Sequence, residues 1–446
     1  MNKTSKVKGA LEVLLVIGLI LVIPLFFAIK TQADPQVAQN TVTPTILPAA
    51  PPSTPAALRA TAQQPPQCTF PLAQTATTES TPEEYTFSEP QVVLTAPQGN
   101  IYHIVEWLPD SQQILMTEEL GNDSDGLESI RLYNPETGES KVYAIRPITY
   151  QSPAWQPELN AVVYPIMKYF DVDKQNRTYK FTRQLWVSYG DPETAQMLSD
   201  NPSQLPFAIK PGGSDMLYLS DKEISKLDKS LKKPSSAPFD SVQWDYAKER
   251  RSDKSVSYNM AWQPGTSLIF LYSEGAMQGG GYTFILDADT GQVCELDLGG
   301  WAKVARWSSD GHYLAFIRVK DYAFLYPRSE LALLDTATGN LIIFNVTPQE
   351  IAGQHYVKGF TWAPDNRHLL AIGEIYTSLD NQSETGLYLV DFVSGQSVRV
   401  VPENKGFVFS HDNNFAWSPD GSKVVIHCPT KTVDQICLIP VQRTGQ

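Results

Sequence analysis

The chain has 446 residues, a formal net charge of −13 and a pI of about 5.0; its 42% hydrophobic and 11% aromatic content is enough for a large β core. The acidic balance argues against a nucleic-acid or anionic-membrane surface, either of which needs a basic face. Four cysteines are too few for a disulfide scaffold.

The first informative stretch is the N-terminus. Lys3, Lys6 and Lys8 precede Ala10, Leu11 and Glu12 and then an uncharged apolar run from Val13 to Ile29. At about 1.5 Å per residue, some 17–20 such residues cross a hydrocarbon core. The reading is a cytoplasmic N-terminus over 1–9 and a single transmembrane anchor over 10–30, with the near-side lysines placing the rest of the chain outside the cytoplasm. The alternative is a secreted protein with a cleaved signal peptide ending at Thr31-Gln32-Ala33. Signal peptides usually hold only about 7–15 apolar residues, which favours the retained anchor.

Residues 31–84 read as a disordered linker rich in Pro, Ala, Thr and Gln, including Pro51-Pro52 and Pro65-Pro66. Such a composition cannot bury enough apolar surface to fold, and its prolines bias it towards extended conformations.

The body, 85–446, is built on one repeated unit. Its clearest copy is Ala416-Trp417-Ser418-Pro419-Asp420-Gly421 followed by the apolar run Lys423 to Cys428. A strand ends in Trp, a tight turn follows, and a second strand begins; Pro, Asp and Gly suit successive positions of that turn. Further copies carry Trp107, Trp155, Trp262, Trp307 and Trp362, and a degenerate copy has Ile209 in the Trp place. Counting Ile209, the steps are 48, 54, 53, 45, 55 and 55 residues. A second repeated turn, Asp335-Thr336-Ala337-Thr338-Gly339 and its counterparts at Asn134, Asp287 and Asp391, connects a third strand to a fourth. Strand and turn chemistry at this period predicts an all-β, seven-bladed β-propeller. The last unit lacks a fourth strand, and Gln91–Leu94, ahead of the first Trp unit, fits the missing place and would hide both open edges. The third unit is weak: a polar stretch follows Leu219, and reading it as an insertion would leave six blades.

The Trp-x-Pro-Asp-Gly turn, the apolar strand after it and the Asp-x-x-Thr-Gly turn resemble the repeats of TolB-like, or WD40-like, β-propellers over about residues 90–441. The resemblance implies architecture more than activity. The stretch before the repeats reads as a linker, without room for TolB's own N-terminal α/β domain. The repeats are also similar to those preceding the catalytic domain of prolyl oligopeptidases, but no hydrolase domain is read after them.

In such a ring the Trp turns and the Asp-x-x-Thr-Gly turns share one face, and the motif Trp residues pack between blades. The long second-to-third-strand loops occupy the other face and carry Tyr169, Phe170, Tyr179, Phe181, Tyr272, Tyr322, Phe324, Tyr326 and Tyr376. Loops on a rigid scaffold are where binding residues concentrate, and aromatics are favoured contacts. They are expected to form a protein- or glycan-binding rim, the alternative being that they cover the outer edges of their own blades. His103, His355 and His411 fall in or before the innermost strands of units that become neighbours on closure. Three imidazoles, with Asp412, would suit a divalent transition metal; some seven-bladed lyases acting on acidic oligosaccharides, whose repeats look similar, use a His-rich central metal. The three stand at different offsets from their Trp, which argues for ordinary hydrogen-bonded histidines, and no other cofactor is expected. Asn122-Asp123-Ser124-Asp125-Gly126 and Asp171-x-Asp173 offer oxygen ligands but lack the spaced Glu of a calcium loop. No Gly-x-Ser-x-Gly, His-Glu-x-x-His or phosphate loop occurs. A non-enzymatic binding module is thus the leading reading, with a metal-dependent lyase or hydrolase, or a structural envelope component, as alternatives. Cys428 and Cys437 lie on consecutive strands of the last unit within disulfide reach. Cys68 and Cys294 are left over, and the sequence does not decide whether they pair.

Overall fold

A computed structural model of the chain separates into two units, Met1–Arg59 and Ala60–Gln446. It describes residues 66–72, 84–109, 112–121, 126–149, 151–173, 178–199, 207–213, 215–219, 223–228, 230–231, 234–238, 258–273, 281–321, 328–349, 353–377, 382–401, 415–430 and 432–444. The expected anchor and most of the linker lie outside these. Among the described residues no helix is long and apolar enough to cross a membrane.

Seven antiparallel sheets follow one another along the chain, over 101–147, 154–199, 207–238, 258–295, 301–344, 354–399 and 415–444. Each of the first six is a four-stranded meander, and neighbouring sheets touch around the whole circuit, the seventh against the first. The protein is a seven-bladed β-propeller. The third unit is a blade in its own right, with strands Phe207–Ile209, Asp215–Leu219, Glu223–Asp228 and Pro234–Pro238. Its outer strands escape a hydrophobicity reading because most of their residues are polar; backbone pairing holds them, and Leu227 of the third packs in the cluster shared with blade two.

The seventh blade has three strands of its own, Phe415–Trp417, Lys423–His427 and Gln435–Thr444. Its fourth place is filled from the far end of the body. Gln91–Thr95 pairs antiparallel with Gln435–Leu438, as the strand count predicts. The closure is longer than expected: Glu84–Phe87 pairs with Val441–Thr444, and the Ser88 N–H bridges the two stretches by donating to the Pro440 carbonyl at 2.9 Å. Tyr85 and Phe87 meet the Trp417 ring edge-on at 5.1 and 5.8 Å.

The core is distributed between blades. Each of seven apolar clusters bridges one pair of neighbours, and the repeated Trp, or Ile209, of a blade sits in the cluster shared with the blade before it. The indole N–H of Trp307 donates to the Ala261 carbonyl and that of Trp362 to the Arg306 carbonyl of the preceding blade, while those of Trp262 and Trp417 donate to Thr266 and Gly421 in their own turns.

Two disulfides are formed. Cys428–Cys437 joins the middle strands of the closing blade, with a Cα–Cα separation of 5.8 Å. Cys68–Cys294 joins the stretch read as linker to blade four. There Pro66 and Cys68 exchange backbone hydrogen bonds with Glu295, and the Leu72 N–H donates to the Thr336 carbonyl of blade five. Phe70 lies against Gly339, where a Cβ would approach its ring to 2.6 Å. Residues 66–72 are therefore a strap held on the propeller, a departure from the featureless linker read there. Their apolar members, Cys68, Phe70 and Leu72, pack on the cluster shared by blades four and five.

Candidate functional site

The two faces of the ring are built differently. On one lie the turns that follow the repeated Trp or Ile209 and, in blades one, four, five and six, a second turn opened by Asn134, Asp287, Asp335 or Asp391. In the Asp335 turn, Asp335 Oδ1 accepts from the Ala337 N–H at 2.9 Å, Oδ2 from the Thr338 hydroxyl at 2.8 Å, and its carbonyl from the Gly339 N–H. Gly339 stands at φ 78°, which a Cβ would strain. The Asp287 and Asp391 turns repeat the arrangement.

On the opposite face, two of the segments read as loops, Lys168–Thr182 and Ile375–Gly386, are largely paired strand. In blade two, Ala161–Asp173 and Thr178–Ser188 form one long ribbon that includes most of Lys168–Thr182. In blade six, His368–Thr377 and Gln382–Asp391 pair through Ile375–Gly386. Continuing the ladder satisfies backbone groups that a long loop would leave to solvent.

The aromatic rim is only partly accounted for. Tyr272 is a correction: it is buried between blades four and five, stacked on Phe270 at 5.3 Å, and its hydroxyl accepts from the Ala305 N–H at 3.2 Å. It lies within a paired strand whose inward face packs on the next blade, so it presents no ring to a ligand. Tyr376 is half-buried, opposite Gln354 at the loop-face end of blade six. Tyr169, Phe170 and Tyr179 occupy ribbon positions, with Phe170 opposite Lys180; their side chains lie outside what is described. Tyr322, Phe324 and Tyr326 fall outside the described residues.

Next to Tyr376 a cleft of about 240 Å³ opens on the loop face between blades five and six. Phe344, Val346 and Val357 give it a buried apolar floor. Asn345, Gln349 and Gln354 supply amides at the rim, and Glu330 a carboxylate whose position is fixed by Arg318 at 2.7 Å. An apolar floor under a few oriented polar groups is the ordinary make-up of a ligand site. Sequence reading missed it because its walls come from strand ends and an inter-blade connection, none of which carries a motif.

A second feature lies on the axis. The residue before the repeated Trp is Ala154, Ala261, Thr361 and Ala416 in blades two, four, six and seven, and Ala208 before Ile209 in blade three. In blades one and five it is Glu106 and Arg306. Both are half-buried. Burial pushes the Glu106 carboxyl above its ordinary range, and the Trp155 N–H, which Glu106 accepts at 3.1 Å, and the Arg306 charge only partly offset this. Burial also lowers the Arg306 guanidinium, with Glu106 opposing it. The two departures from a small-residue column are thus complementary in charge, and each group's charge acts on the other. Aligning the residues before each Trp would have exposed them in the sequence.

The described histidines are each engaged. His103 Nε2 lies 2.7 Å from Glu119 Oε1, and His355 Nδ1 2.6 Å from Thr347 Oγ1 at the cleft wall. His411, the third member of the expected metal set, lies outside the described residues. Among the described residues no group of three or more His, Cys, Asp or Glu side chains is placed to hold a metal ion.

No protein-family model and no curated protein matches the chain. Among solved structures it is similar to TolB from Acinetobacter baumannii, at 12% identity over 78% of this chain and 80% of that one, with a TM-score of 0.37. It is also similar to the β-propeller domain of the trilobed protease from Pyrococcus furiosus, at 10% identity over 78% of this chain and 98% of that one, with a TM-score of 0.47. A third is a putative TolB from Agrobacterium tumefaciens, at 13% identity over 57% and 95%, with a TM-score of 0.35.

Proposed function

We propose that this chain is a non-enzymatic binding module, held outside the cytoplasm by its N-terminal apolar segment, that takes a protein or glycan partner on the loop face of its propeller. The observation that carries the reading is the cleft between blades five and six, which opens on the face of unlike hairpins and not on the face of repeated turns. The compartment is supported by the two disulfides, which persist in oxidising surroundings. The membrane attachment rests on the run from Val13 to Ile29 and the lysines before it.

The test is site-directed photocrosslinking of the full chain in intact cells. A crosslinker at Gln354, on the cleft, is expected to capture a partner, while one at Thr338, on the turn face, is not. Equal labelling from both positions, or labelling from Gln354 no different from an inert anchored control, overturns the reading.

A further inference from the structure

We propose that the cleft between blades five and six takes one ring of a neutral saccharide. The inference rests on the loop-face reading above and narrows it from a protein or glycan partner to a single ligand class.

Charge is the first filter. The lining carboxylate, Glu330, accepts from two nitrogens of Arg318 on the same oxygen, Oε2, at 3.2 and 2.7 Å. The remaining Arg318 nitrogen donates to the Leu298 carbonyl at 3.3 Å. The Glu330 charge is thus matched inside the protein, which weakens its pull on a cation and fixes its direction as an acceptor. Among the described lining residues there is no Lys or Arg, and Lys358 nearby is held by Glu374 at 2.7 Å. A phosphate, sulfate or carboxylate entering the cleft would therefore meet Glu330 without a lining cation to offset it.

Hydrogen-bonding capacity is the second filter. The Tyr356 hydroxyl donates to Gln354 Oε1, which leaves the Gln354 amide nitrogen as a donor. Gln349 Nε2 donates to the Thr347 carbonyl at 2.9 Å, which leaves Gln349 Oε1 as an acceptor. Each amide is oriented through one end and open at the other. Asn345, exposed at the rim, offers both a donor and an acceptor. Mixed donors and acceptors match a group that donates and accepts at once, as a hydroxyl does. An ammonium only donates, and a phosphate offers chiefly acceptor oxygens.

Size and main chain argue against a peptide. The cleft, at about 240 Å³, is smaller than the roughly 300–1,000 Å³ usual for a drug-sized ligand, so it has room for one ring and not for a run of side chains. A peptide laid along the wall would be read through main-chain groups. There the Val357 N–H donates to Ser329 Oγ at 2.9 Å, and the Ser329 hydroxyl donates to the Val357 carbonyl at 3.0 Å, so both groups are taken. The buried floor of Phe344, Val346 and Val357 suits the C–H face of a sugar ring, whose edge hydroxyls would then meet the rim amides.

The experiment uses the full chain purified in detergent and a panel of methyl glycosides of neutral hexoses and N-acetylhexosamines, read by ligand-observed NMR. At least one neutral glycoside is expected to bind, and its uronic-acid and amino-sugar counterparts to bind about 10-fold more weakly. Asn345→Ala combined with Gln349→Ala should weaken binding by about 10-fold or more, while Tyr272→Phe, at a different interface, should not. Fluorine in place of a hydroxyl cannot donate and tests the same bonds without altering the protein. At least one singly fluorinated analogue of the bound glycoside should lose about 10-fold. Absence of binding by every neutral glycoside, equal binding of the charged counterparts, indifference to the rim substitutions, or no loss in any fluorinated analogue each overturns the saccharide assignment. In any of those cases, capture from Gln354 of a partner that carries no glycan would leave the loop-face reading standing, so the two readings fail separately.

Discussion

The turn face and the loop face of this propeller are made by the same seven sheets, and they differ in one respect: only the first repeats itself. Asp287, Asp335 and Asp391 hold their turns with the same pattern of acceptors, and Gly291, Gly339 and Gly395 close them at φ between 72° and 78°. The opposite face offers a long ribbon on blade two, a covered hairpin on blade six and a cleft between five and six. What recurs is what every blade needs in order to fold; what does not recur is free to serve a partner. If that division holds, perturbing the repeated parts costs stability and perturbing the others costs binding.

The largest effect is expected where the repeat is completed from outside itself. Removing residues 84–95 takes away both stretches that pair with Gln435–Thr444 and the two rings against Trp417. It exposes a sheet edge and opens the seventh interface. The truncated chain is expected to lose cooperative unfolding and near-ultraviolet dichroism and to aggregate. A truncated chain melting at the wild-type temperature would show that the ring closes by other means.

Next comes the repeated Trp. Trp417→Ala should cost about 3–5 kcal/mol in denaturant unfolding, since the ring is buried in the cluster shared by blades six and seven. Trp155, half-buried in its interface, should cost less.

The channel pair breaks the division usefully, because it sits in a repeated column and departs from it. Glu106→Ala or Arg306→Ala alone removes one of two opposed half-buried charges and should cost about 2–3 kcal/mol, below the usual cost of breaking a fully buried pair. The double substitution restores the small residue of the other blades and should recover most of that loss. The pH dependence has a definite sign. The folded protein holds the Glu106 proton more tightly than the unfolded chain, so this group's contribution is fully present below about pH 4.3 and is lost as pH rises through the raised folded value. Additive single-variant costs in the double-mutant cycle would mean that the two charges do not act on each other.

How much of this was legible beforehand follows the same line. The ring, its seven units and the use of Gln91–Leu94 were readable, because Trp, Pro, Asp and Gly at fixed offsets record local backbone requirements. The Glu84–Phe87 extension was not, since it lies at the end of a stretch whose composition reads as a linker. Nor was the strap: Cys68 gives no sign of its distant partner, and only the packing of Phe70 on Gly339 and Leu72 on blade five explains why the two sulfurs meet. Tyr272 was misread because an aromatic at the end of an apolar strand looks the same whether it turns to solvent or to the next blade. The cleft had no signature, being assembled from residues that are unremarkable one at a time.

The turn-face carboxylates test the repeated side at smaller scale and with the opposite pH sign. Burial pushes the Asp391 carboxyl up, but hydrogen bonds from Arg367, Ser394 and two backbone amides outweigh it and hold the group well below the usual carboxylate range. Its contribution is present above the unfolded value of about 3.9 and is lost as pH falls below that. Asp391→Asn should cost about 1–2 kcal/mol at pH 7, chiefly by loosening the pair with Arg367 at 2.7 Å. The gap to wild type should narrow below about pH 4. A gap that stays constant with pH would put the cost in turn geometry and not in charge.

The smallest stability effect is expected on the loop face, and there its smallness is the point. Asn345 and Gln349 are exposed at the cleft rim, and Gln354 is half-buried beside them. Asn345→Ala and Gln349→Ala touch no repeated contact and should shift stability by no more than about 0.5 kcal/mol. The same changes should reduce photocrosslinked partner from Gln354 several-fold if the cleft holds the ligand. Tyr272→Phe is the natural contrast. It removes a buried hydroxyl that accepts from Ala305, should cost about 1 kcal/mol, and should leave capture unchanged. A reversal, with capture lost in Tyr272→Phe and retained in the rim variants, would move the binding surface off the cleft and towards the interface of blades four and five.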